Sequence, residues 1–183
     1  MQPPLTTDRL IVRDWSSSDA DVQAALALYG RPEVTEWLTP VVSSVADLAA
    51  MRAVVHSWTE SQPNLVPPTG RWAMQRRSDD VVVGGLVLRM LPPYDHDLEL
   101  TWQLRPEAWG FGYATEAAIA LLHWAFSFDI DAVFALARPD NARAISTAQR
   151  IGMEWVGETT KYYDTALQVY RIRQGDLPDA PPA

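Results

Sequence analysis

Two glycines, Gly110 and Gly112, lie where an alternating strand gives way to a helix, and this arrangement can bind an anion. The strand is predicted over 98–104, and an apolar-periodic helix begins just after Gly112. The first backbone N–H groups of a helix have no partners within it, and the helix dipole adds about half a positive charge at that end. Because neither glycine has a Cβ, phosphate groups can approach the backbone closely. The segment therefore predicts a phosphate-binding turn.

An acidic side chain, Glu99, lies on the strand that precedes this turn. Side chains alternate along a strand, so Glu99 is expected to share one face with Thr101 and Gln103. Burial raises the pKa of a carboxyl group, which lets it act as a general base near neutral pH. The same position also suits an ordinary acid on a half-exposed strand. Three nearby side chains are alternative bases: Asp95, His96 and Asp97.

The glycine turn does not match a dinucleotide-binding fingerprint. That fingerprint has a third glycine where Thr115 stands, and an acidic residue at the far end of the following strand. Here Asp131 lies at the near end of the predicted strand 132–137. The three histidines show no metal-ligand spacing and the chain has no cysteine, so no metal site is predicted.

Capping residues and hydrophobic periodicity predict the helices around this turn. Ser18 and Ser44 each precede an apolar-periodic segment, with Asp21 and Asp47 three residues later as capping-box partners. An apolar stripe from 114 to 128 predicts the helix after the glycines, and a further helix is predicted over 141–151.

Strands are predicted on both sides of these helices, at 10–13, twice within 71–90 around a turn at 78–80, at 98–104, at 132–137, and near 153–158 and 166–173. Strand 98–104, the helix and strand 132–137 form a right-handed βαβ unit with parallel strands. Residues 176–183 contain three prolines and are predicted to be a disordered tail, which leaves residues 1–175 as a single domain.

Composition limits the class of protein. The 183 residues suffice for one domain with a full core, and 48% of them are hydrophobic. No run of 18 apolar residues and no signal peptide is visible, so no membrane association is predicted. The net charge of −8 argues against a general nucleic-acid-binding surface. The lack of cysteine excludes disulfides and suits a cytoplasmic protein.

The segment 109–117, with the sequence WGFGYATEA, resembles the pyrophosphate loop of GNAT acetyltransferases in the form found in their RimJ/RimL-like branch. The family pattern is Gln or Arg, two residues, Gly, one residue, then Gly or Ala. Gly112 and Ala114 match its last two positions, and Trp109 replaces the first. Three other segments are similar to the family's first strand, early helical turn and late helix, in the same order: 5–13, 31–38 and 141–153. The chain is thus identified as a member of this family from about residue 5 to residue 173.

This resemblance implies an α+β fold, with a strongly twisted mixed sheet of six or seven strands flanked by about four helices. It implies a splay between strands 98–104 and 132–137, into which acetyl-coenzyme A enters. The implied reaction is acetyl transfer to a primary amine by direct attack, without a metal or a covalent enzyme intermediate. The acceptor is either a protein N-terminal α-amine or a small-molecule amine, and a homodimer stays open. A different class of function is a non-catalytic acyl-coenzyme A-binding module that senses or scaffolds.

The resemblance also assigns the coenzyme-binding residues. The N–H groups of 110–115 would hold the pyrophosphate, Asn141 would contact the pantetheine arm, and backbone N–H groups near Leu100 and Thr101 would polarise the thioester carbonyl. The full implied set comprises Leu100, Trp102, Gln103, Leu104, Trp109, Gly110, Phe111, Gly112, Tyr113, Ala114, Thr115, Asn141 and Ala144.

By the same resemblance, Glu99 is the general base that removes a proton from the acceptor ammonium, directly or through water. Two positions depart from the family pattern. Ala144 stands where a Ser is frequent, and Ala148 stands where many members have the Tyr that protonates the departing thiolate. Tyr162 or Tyr163 is the substitute candidate.

Three charged residues flank the predicted coenzyme site. Glu116 lies in the first helical turn, where the dipole favours a carboxylate, and is interpreted as structural. Arg143 and Arg150 on the late helix either reach the coenzyme phosphates or are ordinary solvated arginines.

Overall fold

The computed structural model describes residues 4–38, 45, 47–91 and 97–180. The strands within this part of the chain are β1 (Leu5–Thr6), β2 (Leu10–Asp14), β3 (Gly70–Arg76), β4 (Val82–Met90), β5 (Leu98–Leu104), β6 (Ala132–Ala137), β7 (Glu154–Thr159) and β8 (Leu167–Arg173). The α-helices are α1 (Asp19–Tyr29), α2 (Pro32–Thr35), α3 (Leu48–Ser61), α4 (Tyr113–Ala125) and α5 (Ala142–Ile151).

All eight strands belong to one mixed sheet with the order β1-β2-β3-β4-β5-β6-β8-β7. Every neighbouring pair is antiparallel except β5 and β6, which run parallel because α4 connects them as a crossover. The α+β class and the parallel βαβ unit are therefore confirmed. Described strands number eight and helices five, against the predicted six or seven and about four. The excess includes β1, with two residues, and α2, with four, which are too short to show a hydrophobic period.

The helices pack on opposite faces of the sheet and form two cores. On one face, α4 covers Trp72, Leu86 and Leu100, and the Trp72 ring contacts Trp124 with centroids 5.7 Å apart. On the other face, α1 and α3 cover strand residues that alternate with these, such as Ala73. Each strand in the middle of the sheet is thus buried on both faces.

The helix caps follow the sequence in part. The Ser18 hydroxyl accepts a hydrogen bond from the Asp21 N–H at 3.3 Å, as predicted for α1. The Asp21 carboxylate does not complete the capping box, because it accepts from Ser16 and forms an ion pair with Arg13 at 2.8 Å. The N-cap of α3 is Asp47, whose side chain accepts from the Ala50 N–H at 2.8 Å, and Ser44 lies outside the described residues.

The C-terminal segment makes contacts with the domain as far as Pro178. Leu177 is partly buried against the main core, and the ring Nε2 of His123 lies 2.8 Å from the Pro178 carbonyl oxygen. The predicted tail 176–183 thus begins with packed residues, and its last three residues lie outside the described part of the chain. None of the described helices is long and apolar enough to cross a membrane.

Candidate active site

The parallel pairing of β5 with β6 is short and opens a cleft. Only two residue pairs are in register, Leu98 with Val133 and Glu99 with Phe134. Beyond them, a cleft of about 870 Å³ is lined by residues 100–104 of β5 and 135–137 of β6. This is the splay that the family resemblance implied.

The glycine turn offers backbone donors at one end of this cleft. Gly112 is the N-cap of α4, has a φ of 80° in the left-handed region, and no side chain caps the helix. A Cβ built on Gly110, which has a φ of 83°, would meet nothing within 4 Å. The first N–H groups of α4 thus have no side-chain cap, and the space beside Gly110 is open, so this turn fits a diphosphate.

An ion pair fixes the turn to the first strands of the sheet. Glu116 accepts hydrogen bonds from the Thr7 hydroxyl at 2.6 Å and from the Arg9 N–H at 2.9 Å, and its other oxygen lies 2.6 Å from Arg9 Nη2. The Arg9 guanidinium also donates to the Phe111 carbonyl at 2.8 Å. Glu116 is thus structural, as predicted, and it keeps Arg9 against the loop.

Trp109 links the turn to β5 and α5. Its indole N–H donates to the Leu104 carbonyl at 3.0 Å, and the Arg143 guanidinium lies 3.8 Å above its ring. Both Arg143 and Arg150 line the cleft. Both arginines are exposed, and Arg143 lies beside the glycine turn through its contact with Trp109.

The first turn of α5 forms another wall of the cleft. Asn141 caps the helix, with its side-chain oxygen accepting from the Ala144 N–H at 3.1 Å. Asn141, Ala144 and Ala148 all line the cleft, so the wall lacks the hydroxyl groups of Ser and Tyr at the two departures from the family pattern. Ser146 and Thr147 also line it.

Glu99 is the most deeply buried carboxylate of the cleft, with 3% of the residue exposed. Its Oε2 accepts from Arg89 Nε at 2.9 Å and from Arg89 Nη2 at 2.8 Å. Burial raises the pKa of Glu99, while the charge and hydrogen bonds of Arg89 and a hydrogen bond from Tyr163 offset part of that rise. A carboxylate with a raised pKa inside a cleft is suited to accept a proton.

Of the two candidate tyrosines, only Tyr163 lines the cleft. Its hydroxyl accepts from Arg89 Nη2 at 2.8 Å, and burial together with the charge of Glu99 raises its pKa to about 12. Tyr162 instead packs in a small cluster with Leu91 and Leu167, and its hydroxyl donates to Asp97 at 3.3 Å. Asp97 is thus engaged outside the cleft, and the other alternative bases, Asp95 and His96, lie outside the described residues.

The structure gathers most of the predicted binding residues in one place. Those that line the cleft are Leu100, Trp102, Gln103, Leu104, Trp109, Gly110, Ala114, Asn141 and Ala144. Phe111, Gly112, Tyr113 and Thr115 belong to the glycine turn and its first helical residues but do not line the cleft. The side chain of Gln103 is already engaged, because its oxygen accepts from the Tyr29 hydroxyl at 3.0 Å and its amide donates to Thr101 at 3.2 Å.

Two basic residues of the cleft, Arg89 beside Glu99 and Arg71 near Arg89, were not predicted from the sequence. Arg89 lies opposite Glu99 in the β4–β5 register, and Arg71 lies opposite Val87 in the β3–β4 register. Side chains alternate along a strand, so Arg89 lies on the same face as Val87. The register between two strands joined by a loop was not readable from the sequence, so the pairing could not be found.

In the described part of the chain, no cluster of three or more His, Cys, Asp or Glu side chains is arranged to hold a metal ion.

Comparisons with known proteins identify the family. The family model described as the acetyltransferase (GNAT) domain matches residues 9–154. The chain is 25% identical over 181 residues to the uncharacterized N-acetyltransferase YoaA of Bacillus subtilis, covering 94% of this chain and 97% of that protein.

Solved structures agree in fold. A GNAT-family acetyltransferase from Bacillus anthracis superposes with a TM-score of 0.76 at 20% identity, over 93% of this chain and 98% of that one. Mycobacterium smegmatis RimJ, solved in complex with CoA-disulfide, gives a TM-score of 0.76 at 16% identity, over 98% of this chain and 93% of that one. The chain belongs to the GNAT acetyltransferase family and is an N-acetyltransferase of that family.

Proposed function

We propose that this protein uses acetyl-coenzyme A to acetylate a primary amine by direct attack. The observation that carries the proposal is a juxtaposition. The uncapped N-terminus of α4 lies at a cleft formed by the splay of β5 and β6, and the buried carboxylate of Glu99 lies in the same cleft. An anion site, a channel between strands and a base are the three parts that such a transfer needs.

Coenzyme A would be held along one face of the sheet. The N–H groups of 110–115 would bind the pyrophosphate, with Arg143 and Arg150 adding charge, and the Thr115 hydroxyl would add a hydrogen bond. Asn141 would contact the pantetheine arm. When bound, acetyl-coenzyme A supplies the acetyl group as a thioester.

The thioester would be polarised by the backbone of β5. Past Glu99, β5 has no register partner on β6. Consecutive N–H groups of a strand point to opposite edges, so one of the N–H groups of Leu100 and Thr101 faces this open edge and is available as a donor. The same opening explains why Leu100, Trp102 and Leu104 line the cleft although they share the core-facing side of the strand.

Glu99 would take the proton that the acceptor ammonium must lose. Burial favours its proton-bound form, so its pKa lies above the ordinary value and closer to that needed by a base at neutral pH. Arg89 stabilises the carboxylate and fixes its orientation through two N–H groups. Tyr163, protonated at neutral pH and bonded to the same arginine, is the proton donor that Ala148 cannot be.

The alternative is an acyl-coenzyme A-binding module without catalysis, and Ala148 is the observation that favours it. The two functions separate in one experiment. Acetyl-coenzyme A with a labelled acetyl group is incubated with a panel of peptides and small amines, and both labelled amine and released thiol are measured. An enzyme yields labelled amine and free coenzyme A in equal amounts, whereas a binding module yields neither above the no-protein control.

Membership of the RimJ/RimL-like branch belongs to this proposal too. It is supported by the loop sequence of 109–117 and by the similarity in fold to RimJ from Mycobacterium smegmatis. Both a protein N-terminal α-amine and a small-molecule amine fit the proposed reaction as acceptors. The cytoplasmic location, the homodimer and the division into a domain of residues 1–175 and a tail stay predictions from the sequence.

A further inference from the structure

The cleft extends to the second face of the sheet, away from the glycine turn. On β3, Trp72 packs against α4, so Arg71 and Ala73 point to the opposite face, where Ala73 contacts the core of α1 and α3. Arg89 and Glu99 lie on this second face as well, across the register from each other. We call this part of the cleft, lined by Arg71, Arg89 and Glu99, the acceptor face.

Arg71 is a half-buried cation on the acceptor face, and the part of the chain that the structure describes gives it no counter-ion. The described residues provide its guanidinium with neither a hydrogen bond nor an ion pair. Burial and the charge of Arg89 lower the pKa of Arg71, which is the effect expected of a cation that is partly desolvated beside another cation. The nearby arginine Arg89, by contrast, is paired with Glu99 at 2.8 Å.

The balance of charge on the acceptor face is positive although the chain as a whole carries −8. Its buried and half-buried charges are two cations, Arg71 and Arg89, and one anion, Glu99. The other anion that lines the cleft, Glu33, is exposed and on α2. An unpaired, partly buried charge is costly, so a ligand anion that pairs with Arg71 binds favourably.

Aromatic side chains form the wall opposite these charges. The Trp58 ring contacts the rings of Trp15 and Tyr29, with centroids 5.7 Å and 5.3 Å apart, and all three residues line the cleft. Trp37 lines it too, and its buried indole N–H has no hydrogen-bond partner among the described residues. This wall offers apolar area and one unused donor.

We propose that the acceptor is a small amino carboxylate. Its amine faces Glu99, its carboxylate pairs with Arg71, and its apolar side chain packs on the aromatic wall formed by Trp15, Tyr29, Trp37 and Trp58. This inference rests on the proposed function and adds the substrate class. The register supports the spacing, since Arg71 is opposite Val87 and Val87 is opposite Thr101. Two strand intervals put the backbones of Arg71 and Thr101 about 10 Å apart, and Glu99 lies two residues before Thr101 on β5. A small ligand and the arginine side chain together fill the gap between Arg71 and Glu99.

The test uses three related amines: L-phenylalanine, its amide and phenethylamine. Only the first carries a carboxylate. Binding to the coenzyme-free protein is measured by calorimetry, and acetylation is measured in parallel. Wild-type protein is expected to bind L-phenylalanine more tightly than the two compounds without a carboxylate, by roughly 10- to 100-fold in affinity, which is the effect of a charge-assisted pair.

The variant Arg71→Gln should remove this preference, leaving affinity for phenethylamine unchanged, and Arg71→Lys should keep part of it. Arg52→Gln is the matched control, because Arg52 is exposed on α3 and pairs with Asp19, and it should behave as wild type. Melting temperatures show that each variant folds.

The inference is overturned by no preference for the carboxylate in the wild type, or by an equal preference in Arg71→Gln. Acetylation of peptides alone, with no binding of L-phenylalanine, also overturns it and leaves the proposed function standing. Carboxylate binding that depends on Arg71 but occurs without acetyl transfer to any amine supports the inference as a binding site and refutes the proposed function.

Discussion

Replacing Glu99 with Gln tests the chemistry of the site. The change keeps the shape of the side chain and an oxygen that can accept from Arg89, but it removes the capacity to take a proton together with the negative charge that pairs with Arg89. The glycine turn is untouched, so coenzyme A affinity should be unchanged. The turnover number at pH 7 should fall, because the acceptor must then lose its proton to water.

The structure sets the size of this effect. General-base assistance contributes roughly 10²- to 10⁴-fold. The two hydrogen bonds from Arg89 stabilise the charged form of Glu99 and offset part of the rise in its pKa from burial, so its base strength is moderate. We expect a loss of about 100-fold, at the lower end of that range.

The assay is kcat/KM as a function of pH with one acceptor amine. In the wild type, the acidic limb reports the pKa of Glu99, raised above 4.5 by burial. In Glu99→Gln that limb should disappear, and the rate should keep rising with pH as free amine becomes available. Glu107→Gln is the matched control, because Glu107 is exposed and pairs with Arg31, and this variant should leave the pH profile unaltered. Near-normal turnover of Glu99→Gln with an intact acidic limb would refute the role of Glu99.

Two further predictions concern the glycine turn. Gly112→Asp should weaken coenzyme A binding at least tenfold in calorimetry, because a carboxylate would repel the phosphates and the φ of 80° would be strained; unchanged affinity in the folded variant would exclude the turn as the site. Glu116→Gln should reduce the free energy of unfolding by about 1–3 kcal/mol at pH 7, because it weakens the hydrogen bonds with Thr7 and Arg9.

The pH dependence of the second prediction follows from the pKa of Glu116. Burial raises that pKa, but the hydrogen bonds from Thr7 and Arg9 outweigh burial and lower it below 4.5. The carboxylate therefore contributes stability that is fully present above about pH 4.5 and is lost as pH falls through the folded-state pKa. Denaturant unfolding should show the wild type and Glu116→Gln converging at acidic pH, and a constant difference would contradict the ion pair.

Local sequence signals predicted the central part of the fold. The alternation of 98–104, the two glycines and the apolar stripe after them predicted β5, the turn and α4, because each signal spans only a few residues. The N-cap role of Asn141 was predicted for the same reason. The edge strand β1, with two residues, gives no such signal.

Contacts between distant segments were not predictable. Arg9 and Glu116 are 107 positions apart, and their pairing depends on how β2 lies beside α4. The Arg89–Glu99 pair depends on the β4–β5 register, which places a cation against the candidate base and makes its pKa a balance of burial and charge. That none of the described residues pairs with the Arg71 guanidinium depends on how the strands and helices around the acceptor face are assembled. These features need the assembled sheet.

A crystal structure of the protein with coenzyme A would locate the bound coenzyme directly. We expect density for the pyrophosphate at the N–H groups of 110–115, and density for the pantetheine arm between β5 and β6, ending beside Glu99. Pyrophosphate bound away from the glycine turn, or an arm that does not enter the splay, would contradict this expectation.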